Sequence, residues 1–271
     1  MPFLKTNGGE IYYESSGERE NPALVLLHAG VATLRMWDAQ VDDLAADHFV
    51  LRFDSRGYGR TTSDENPYRE HDDTIALLDH LGIASATLIG ASRGGMIAVN
   101  TALEHPNRVA GVVTIGSGIE GFPATTFTPE ELACFEQIAA LKAADDTAAA
   151  KEAERRLWAF GLDRRAEELD PGFIALVAEL DRPNLERAAE RLTALPLEPS
   201  AYSRLETLAA PVLVTVGDFD VSRMNIIARA LVQTLPQAEA AHFAHSAHLP
   251  SVEEPAEFLR VLRSWLGRHA L

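Results

Sequence analysis

The sequence predicts an α/β fold with a mostly parallel, doubly wound sheet, and three observations support this prediction. Short, continuously apolar runs recur along the first half of the chain and return near its end. Amphipathic helical patterns, as at 72–81 and 93–104, separate these runs. This alternation is typical of parallel strands that are covered by helices on both faces. The length of 271 residues suits one large domain with a substantial core.

The predicted strands follow one another in a simple order. The segment EIYYES alternates in polarity like a half-exposed strand, whereas PALVLLH, HFVLRFD, SATLIG and RVAGVVTIG each contain a short, mainly apolar run. After residue 205 the segments APVLVTVG and AEAAHFA resume the strand pattern. PAEFLRVLRSWL then predicts a closing helix.

A helical block from about residue 122 to residue 205 interrupts the strand pattern. It begins with Thr128, Pro129 and Glu131, which suit the N-cap, the first helical position and the third position of a capping box. The segments DTAAAKEAERRLWAFGL and NLERAAERLTAL also have helical spacing. We therefore expect a core of residues 1–121 and 206–271 with a helical lid insertion at 122–205, where such folds carry specificity. The alternative is that these helices merely cover a sheet edge.

Composition and charge exclude several classes of function. The formal net charge of −16 disfavours binding to nucleic acid or to an anionic membrane surface. No run is apolar for long enough to span a membrane, and the first residues show no secretory signal pattern. Cys134 is the only cysteine, which fits a reducing compartment. We expect a cytoplasmic protein that acts on a small molecule, as a monomer or a homodimer.

The segment ATLIGASRGGMIAV places one serine, Ser92, between a predicted strand and a predicted helix. Gly90, Ser92 and Gly94 match the pattern G-x-S-x-G, in which a sharp turn strains the serine backbone and exposes its hydroxyl. Small neighbours are needed there because the turn brings backbone segments close together. Ordinary turn chemistry is the alternative, and the other motifs of the chain weigh against it.

Four further segments accompany this turn in a fixed order: LLHAG, FDSRGYGRT, VGDFD and HSAHLPSVEEPAEF. Together with the G-x-S-x-G turn they resemble the motifs of the α/β-hydrolases, and the resemblance covers nearly the whole chain. The sequence departs from the usual pattern at Thr61, where a serine is common, and at Ala247, where a glycine is common. The resemblance implies the α/β-hydrolase fold with a helical lid and a nucleophilic Ser92.

The best candidate for the general base is His248. It lies in the loop between the last predicted strand and the last helix, from which an imidazole can reach over the sheet edge to Ser92. His242, within the strand, and His245, in the same loop, are the alternatives.

The resemblance places the acid of the triad in the segment GDFD. The pattern G-x-x-D falls on Asp220, which would accept the other imidazole N–H and fix the tautomer. Asp218 is an alternative that can instead cap a turn, and Glu120 is a more distant one.

The resemblance also implies an oxyanion hole made of the backbone N–H groups of Gly30 and Arg93. We expect His28 to be a structural hydrogen-bonding residue, and Asp54 and Arg56 to shape their loop. The Arg93 side chain has two possible roles, which are pairing with an acidic residue and binding a substrate carboxylate. The candidate pocket walls are Trp37, Met96, Phe122 and Trp158, and the alternative for any of them is a place in the core.

These residues predict a serine hydrolase that cleaves a small carboxylic ester or lactone through an acyl-enzyme on Ser92. The resemblance also allows a C–C bond hydrolase of ring-cleavage products, a cofactor-free perhydrolase, or a non-catalytic ligand receptor. We expect no cofactor and no metal, because no histidine pair has metal-ligand spacing along the chain.

Overall fold

A mixed sheet forms the centre of the computed structural model, which describes residues 3–185, 187, 190 and 192–271. The strands found in these residues are β1 (Phe3–Thr6), β2 (Gly9–Ser16), β3 (Ala23–Leu27), β4 (Phe49–Phe53), β5 (Thr62–Ser63), β6 (Ala86–Ala91), β7 (Val109–Ile115), β8 (Val212–Gly217) and β9 (Ala238–Phe243). Their order is β1-β2-β4-β3-β6-β7-β8-β9, with β5 paired to β2. The strands from β4 to β9 along this path pair in parallel, whereas β1 and β2 are antiparallel to their neighbours. The mostly parallel sheet is thus confirmed.

Helices pack on both faces of this sheet. They are α1 (Asp38–Leu44), α2 (Glu70–His80), α3 (Arg93–Glu104), α4 (Pro129–Ala143), α5 (Thr147–Arg155), α6 (Pro171–Leu185), α7 (Ser222–Thr234), α8 (Pro250–Glu253) and α9 (Pro255–His269). Leu77 of α2 and Ile97 of α3 belong to the core on one face. Leu44 of α1 and Trp265 of α9 belong to the core on the other. This arrangement confirms the doubly wound fold.

The segment between β7 and β8 contains α4, α5 and α6. Helix α4 begins with the expected capping box, in which Thr128 Oγ1 accepts the Glu131 N–H at 3.2 Å and Glu131 Oε2 accepts the Thr128 N–H at 2.8 Å. Helix α5 continues into a π-helical turn at Arg156–Phe160. Neither of these helices, nor any other in the described residues, is long and apolar enough to cross a membrane.

The prediction of a helix over NLERAAERLTAL is wrong for most of the residues of this segment that the structure describes. The segment starts inside α6, which ends at Leu185, and residues 186, 188, 189 and 191 lie outside the described part of the chain. Farther on, the backbone pairs with Tyr68, which donates to Thr193 at 3.1 Å and accepts from Leu195 at 2.7 Å. These long-range hydrogen bonds replace the local ones that a helix would make.

Candidate active site

Ser92 occupies the turn between β6 and α3 with an unusual backbone conformation. Its φ is 53° and its ψ is −114°, and a positive φ is uncommon for a residue that carries a side chain. The Ser92 N–H donates to the Ile115 carbonyl at 2.7 Å, and the Ser92 carbonyl accepts the Gly95 N–H at 3.1 Å. The neighbouring strand β7 and the first turn of α3 therefore hold this conformation in place.

The glycines on either side of Ser92 allow the backbone segments of the turn to touch. A β-carbon at Gly90 would overlap the carbonyl group of Gly94, and one at Gly94 would overlap the carbonyl group of Leu27. Both overlaps involve backbone atoms, which cannot move aside as a flexible side chain can. The small residues of the motif are thus required by close packing.

We expect Gly90→Ala to lower the free energy of unfolding by about 1–3 kcal/mol or more, because the new methyl group overpacks a backbone contact. Urea denaturation measures the change. Gly267→Ala is the matched control, since Gly267 lies in α9 with no atom within 4 Å of the added carbon. That helical substitution should stabilise the protein by about 0.5–1 kcal/mol. Equal effects of the two substitutions would contradict this account of the turn.

His248 and Asp220 form a buried pair. The imidazole Nδ1 lies 2.9 Å from each carboxylate oxygen of Asp220, and the two side chains are only 2% and 0% exposed. Burial raises the pKa of Asp220, and the neighbouring His248 opposes that shift. Gly116, directly after β7, leaves the space for the pair, since a β-carbon there would lie 2.7 Å from Asp220 Oδ2 and 2.9 Å from His248 Nδ1.

The alternative acids and bases lie in other surroundings. Asp218 and His242 face each other at the surface, with Oδ1 and Nδ1 3.4 Å apart and both side chains about half exposed. His245 is exposed. Glu120 accepts hydrogen bonds from the Asn100 amide at 2.8 Å and from the Leu197 backbone at 2.6 Å. The structure therefore brings Asp220 to His248 and leaves the alternatives elsewhere.

Ser92 and His248 face the same cavity, which has a volume of about 360 Å³. The other residues that line it are Gly30, Val31, Tyr58, Lys142, Lys151, Glu154 and Trp158. The Trp158 ring packs 4.7 Å from the His248 imidazole, and the Trp158 carbonyl accepts the His248 N–H at 3.2 Å. A second cavity of about 780 Å³ shares five of these lining residues and extends to Arg93 and Met96.

The predicted oxyanion donors lie at this same edge of the sheet. In the described part of the chain, neither the Gly30 N–H nor the Arg93 N–H donates a hydrogen bond. The loop of Gly30 is held by His28, whose Nδ1 donates to the Ala29 carbonyl at 2.8 Å and whose Nε2 accepts the Ser55 N–H at 3.0 Å. Burial lowers the pKa of His28 to about 3, so this ring is neutral and structural, as expected.

We expect the burial of His28 to make the protein acid-sensitive. In the unfolded chain this imidazole takes up a proton near pH 6.5, whereas in the folded chain its pKa is about 3. The contribution of neutral His28 to the free energy of unfolding is therefore complete above pH 6.5 and is lost as the pH falls toward 3. Between pH 7 and pH 5 the loss from this group is about 2 kcal/mol. In His28→Gln, chemical denaturation should show a decrease in the free energy of unfolding between pH 7 and pH 5 that is smaller by that amount. The control His245→Gln should keep the full loss, and an unchanged loss in His28→Gln would contradict the assignment.

The Arg93 side chain pairs with an acidic residue, which is one of its two expected roles. Nη2 of its guanidinium forms an ion pair with Glu70 at the start of α2, and the Arg93 Cζ atom lies 4.7 Å from the centre of the Tyr58 ring. Burial alone would lower the pKa of Arg93. The nearby negative charge of Glu70 outweighs this effect and holds that pKa above its usual value. Among the described residues the buried Nη1 of Arg93 has no hydrogen-bond partner.

The four candidate pocket walls separate into two groups. Met96 lines the larger cavity, and Trp158 lines the cavity of Ser92. Trp37 is 0% exposed and packs 6.3 Å from the Phe258 ring, which corrects its assignment to the pocket: it belongs to the core beside α9. Phe122 packs against the other core and lies 5.0 Å from the Tyr202 ring.

The loop of Asp54 and Arg56 has the architectural contacts that the sequence suggested. Asp54 accepts the backbone N–H groups of Leu34 at 2.9 Å and Arg60 at 2.8 Å. Arg56 forms a buried, two-pronged ion pair with Asp73 at 2.8 Å.

The structure also adds residues that sequence analysis did not single out. Lys142, Lys151 and Glu154 come from the insertion and reach the cavity of Ser92. The i,i+3 spacing of Lys151 and Glu154 marks an ion pair on a helix, but only the tertiary structure brings that helix opposite Ser92.

One group in the described residues has the geometry of a candidate metal site. His71, Asp72 and His105 bring three potential ligand atoms within 4.8 Å of one another. These residues line a different cavity from that of Ser92.

Comparisons with known proteins identify the family of this chain. Residues 22–255 match the family model described as alpha/beta hydrolase fold, so the chain belongs to that family. It is 26% identical over 264 residues to 3-oxoadipate enol-lactonase 2 of Acinetobacter baylyi, covering 94% of this chain and 92% of that protein. It is 29% identical to a 2-hydroxy-6-oxononadienedioate/2-hydroxy-6-oxononatrienedioate hydrolase of Burkholderia vietnamiensis, covering 95% and 91%.

A solved structure extends the likeness to three dimensions. The enol-lactonase from Burkholderia xenovorans LB400 superposes with a TM-score of 0.73 at 26% sequence identity, covering 98% of this chain and all of that one. Family and relatives together support a hydrolase.

Proposed function

We propose that this protein is a serine hydrolase that cleaves a small carboxylic ester or lactone through an acyl-enzyme on Ser92. One observation carries the proposal: Ser92, held at a φ of 53°, faces the same cavity as His248, whose Nδ1 is bonded to Asp220. A nucleophile, a base and a group that orients the base are the parts that acyl transfer requires.

The proposed first half of the reaction uses each group once. Because the N–H at Nδ1 of His248 is hydrogen-bonded to Asp220, Nε2 is the nitrogen that takes the hydroxyl proton of Ser92 as Oγ attacks the carbonyl carbon. The negative charge that develops on the carbonyl oxygen would be stabilised by the N–H groups of Gly30 and Arg93. Collapse of this intermediate breaks the ester bond, and His248 returns its proton to the departing alcohol.

The second half repeats the chemistry with water. His248 takes a proton from a water molecule, whose oxygen attacks the acyl carbon and forms a second tetrahedral intermediate. The bond from that carbon to Ser92 Oγ then breaks, the serine regains its proton, and the carboxylic acid leaves. Neutral His248 is needed at the start of both halves.

We also propose that residues 122–205 act as a lid that selects the substrate. Support comes from Lys142, Lys151, Glu154 and Trp158, which this segment contributes to the cavity of Ser92. The core contributes Gly30, Tyr58, Ser92 and His248 to the same cavity.

Cleavage of a C–C bond is a second candidate function. It is favoured by the 29% identity to the 2-hydroxy-6-oxononadienedioate/2-hydroxy-6-oxononatrienedioate hydrolase over 95% of this chain. The same cavity and the same base would serve that reaction.

A substrate panel separates these functions. It contains p-nitrophenyl esters from acetate to dodecanoate, an enol-lactone and a vinylogous diketone, each tested with the wild type and with Ser92→Ala. Turnover of an ester or the lactone that depends on Ser92 supports the proposal, and turnover of the diketone alone favours the C–C hydrolase. If no compound reacts, the hydrolase proposal loses its support, and a non-catalytic receptor becomes the better interpretation.

A further inference from the structure

Two lysines line the cavity of Ser92, although the protein as a whole is strongly acidic. The chain carries a formal net charge of −16. The charged residues that line this cavity, however, are Lys142, Lys151 and Glu154, which leave one excess positive charge. Asp181 contacts Lys151 at 3.3 Å from outside this lining and offsets the excess charge, so the capacity to bind an anion depends on which N–H donors of the lysines remain free.

The two ammonium groups share a small number of acceptors. Lys142 Nζ lies 2.6 Å from Glu154 Oε1, and Lys151 Nζ lies 3.1 Å from Glu154 Oε2 and 3.3 Å from Asp181 Oδ1. Each ammonium group has three N–H donors. Among the described residues, two donors of Lys142 and one donor of Lys151 thus have no acidic acceptor within 4 Å.

The two lysines also differ in freedom. The Lys142 side chain is 59% exposed, so it can move toward a ligand, whereas that of Lys151 is only 17% exposed and is held by Glu154 and Asp181. Burial tends to lower the pKa of Lys151, but the two carboxylates raise it above its usual value and keep the group charged.

A third cation, Arg93, lines the larger cavity, although its Nη2 is already paired with Glu70. Arg93 lines the larger cavity together with Lys142 and Lys151, and its buried Nη1 has no hydrogen-bond partner in the described residues. Because Glu70 and Tyr68 already interact with this guanidinium, the proposal below rests on the two lysines.

We propose that the substrate carries a free carboxylate in addition to the bond that is cleaved, and that Lys142 and Lys151 bind this carboxylate opposite Ser92. The inference rests on the proposed function, which it makes more specific. A carboxylate accepts several hydrogen bonds at once, and hydrogen bonds between charged groups are about twice as strong as neutral ones.

Two matched pairs of esters test the inference. Mono-p-nitrophenyl glutarate and p-nitrophenyl pentanoate differ by a carboxylate on the acyl side, and 4-acetoxybenzoate and 4-tolyl acetate differ by one on the alcohol side. We expect the anionic member of at least one pair to have a kcat/KM at least about tenfold higher. The pair that shows the preference identifies the side of the scissile bond on which the carboxylate lies.

Variants then connect the preference to the lysines. Lys142→Met should lower the ratio of anionic to neutral kcat/KM by about tenfold, and Lys142→Glu should lower it further. Lys151→Gln gives a second site for the same test. The control is Lys5→Met, because Lys5 lies on β1 with its side chain 85% exposed, and that variant should leave the ratio unchanged.

The failure of this inference can be distinguished from the failure of the proposed function. Equal turnover of both members in both pairs, or a preference that persists in Lys142→Glu, overturns the carboxylate site while the hydrolase stands. If no ester reacts, calorimetry with glutarate and pentane-1,5-diol, neither of which can be hydrolysed, supplies the test. Binding of glutarate that is weakened by Lys142→Met supports the site and counts against the hydrolase, whereas absence of binding overturns both.

Discussion

Ser92→Ala and His248→Ala should each lower kcat for the best substrate by about 10⁶-fold, because a nucleophile and its base act as one unit. The double variant should be no slower than either single variant, since each change already removes the whole pathway through the acyl-enzyme. Single-turnover and steady-state rates measure both effects, and KM should change far less than kcat.

His242→Ala is the control for the histidine substitution. His242 lies at the end of β9 with its side chain about half exposed and faces Asp218. The kcat of His242→Ala should stay within about twofold of the wild-type value, as expected of a surface substitution. A large decrease of kcat in His242→Ala, together with wild-type kcat in His248→Ala, would contradict the assignment of His248 as the base.

Asp220→Asn should lower kcat by about 10⁴-fold. The carboxylate accepts a hydrogen bond from the N–H at Nδ1 of His248 at 2.9 Å and so leaves Nε2 free to take a proton. An asparagine amide can instead donate to Nδ1, which favours the tautomer with its proton on Nε2 and disables the base. The substitution preserves size, so the loss should appear in kcat with little change in the unfolding midpoint.

Asp218→Asn provides the matched control two residues away. Its carboxylate is about half exposed and lies 3.4 Å from His242, so this change should leave kcat within about twofold. A 10⁴-fold loss in Asp218→Asn, with Asp220→Asn near the wild-type rate, would show that the acid had been assigned to the wrong carboxylate.

The parts of the fold that sequence predicts are those set by local pattern. Mainly apolar runs predict strands β3, β4, β6, β7 and β8 because strands buried on both faces need mostly apolar side chains. The capping box at Thr128 and the glycines around Ser92 are also local, since close packing within the turn requires them. These features follow from a few neighbouring residues.

Other features depend on which distant segments meet. Lys142 and Lys151 have the sequence pattern of an ordinary helix surface, and only the packing of α4 and α5 brings them to the cavity of Ser92. The partner of Arg93 is Glu70, which lies 23 positions earlier in the chain and gives no local sign of the contact. Trp37 is assigned to the pocket from sequence although it lies in the core, because the sequence does not distinguish a buried aromatic side chain of the core from one in a pocket wall.

Labelling with a fluorophosphonate probe tests the central claim most directly, because the probe reacts with an activated serine without any knowledge of the substrate. We predict one adduct per chain, located on Ser92 by peptide mass spectrometry, absent in Ser92→Ala and formed far more slowly in His248→Ala. A folded wild-type protein that remains unlabelled, or that carries its adduct on a different residue, would contradict the assignment of Ser92 as the nucleophile.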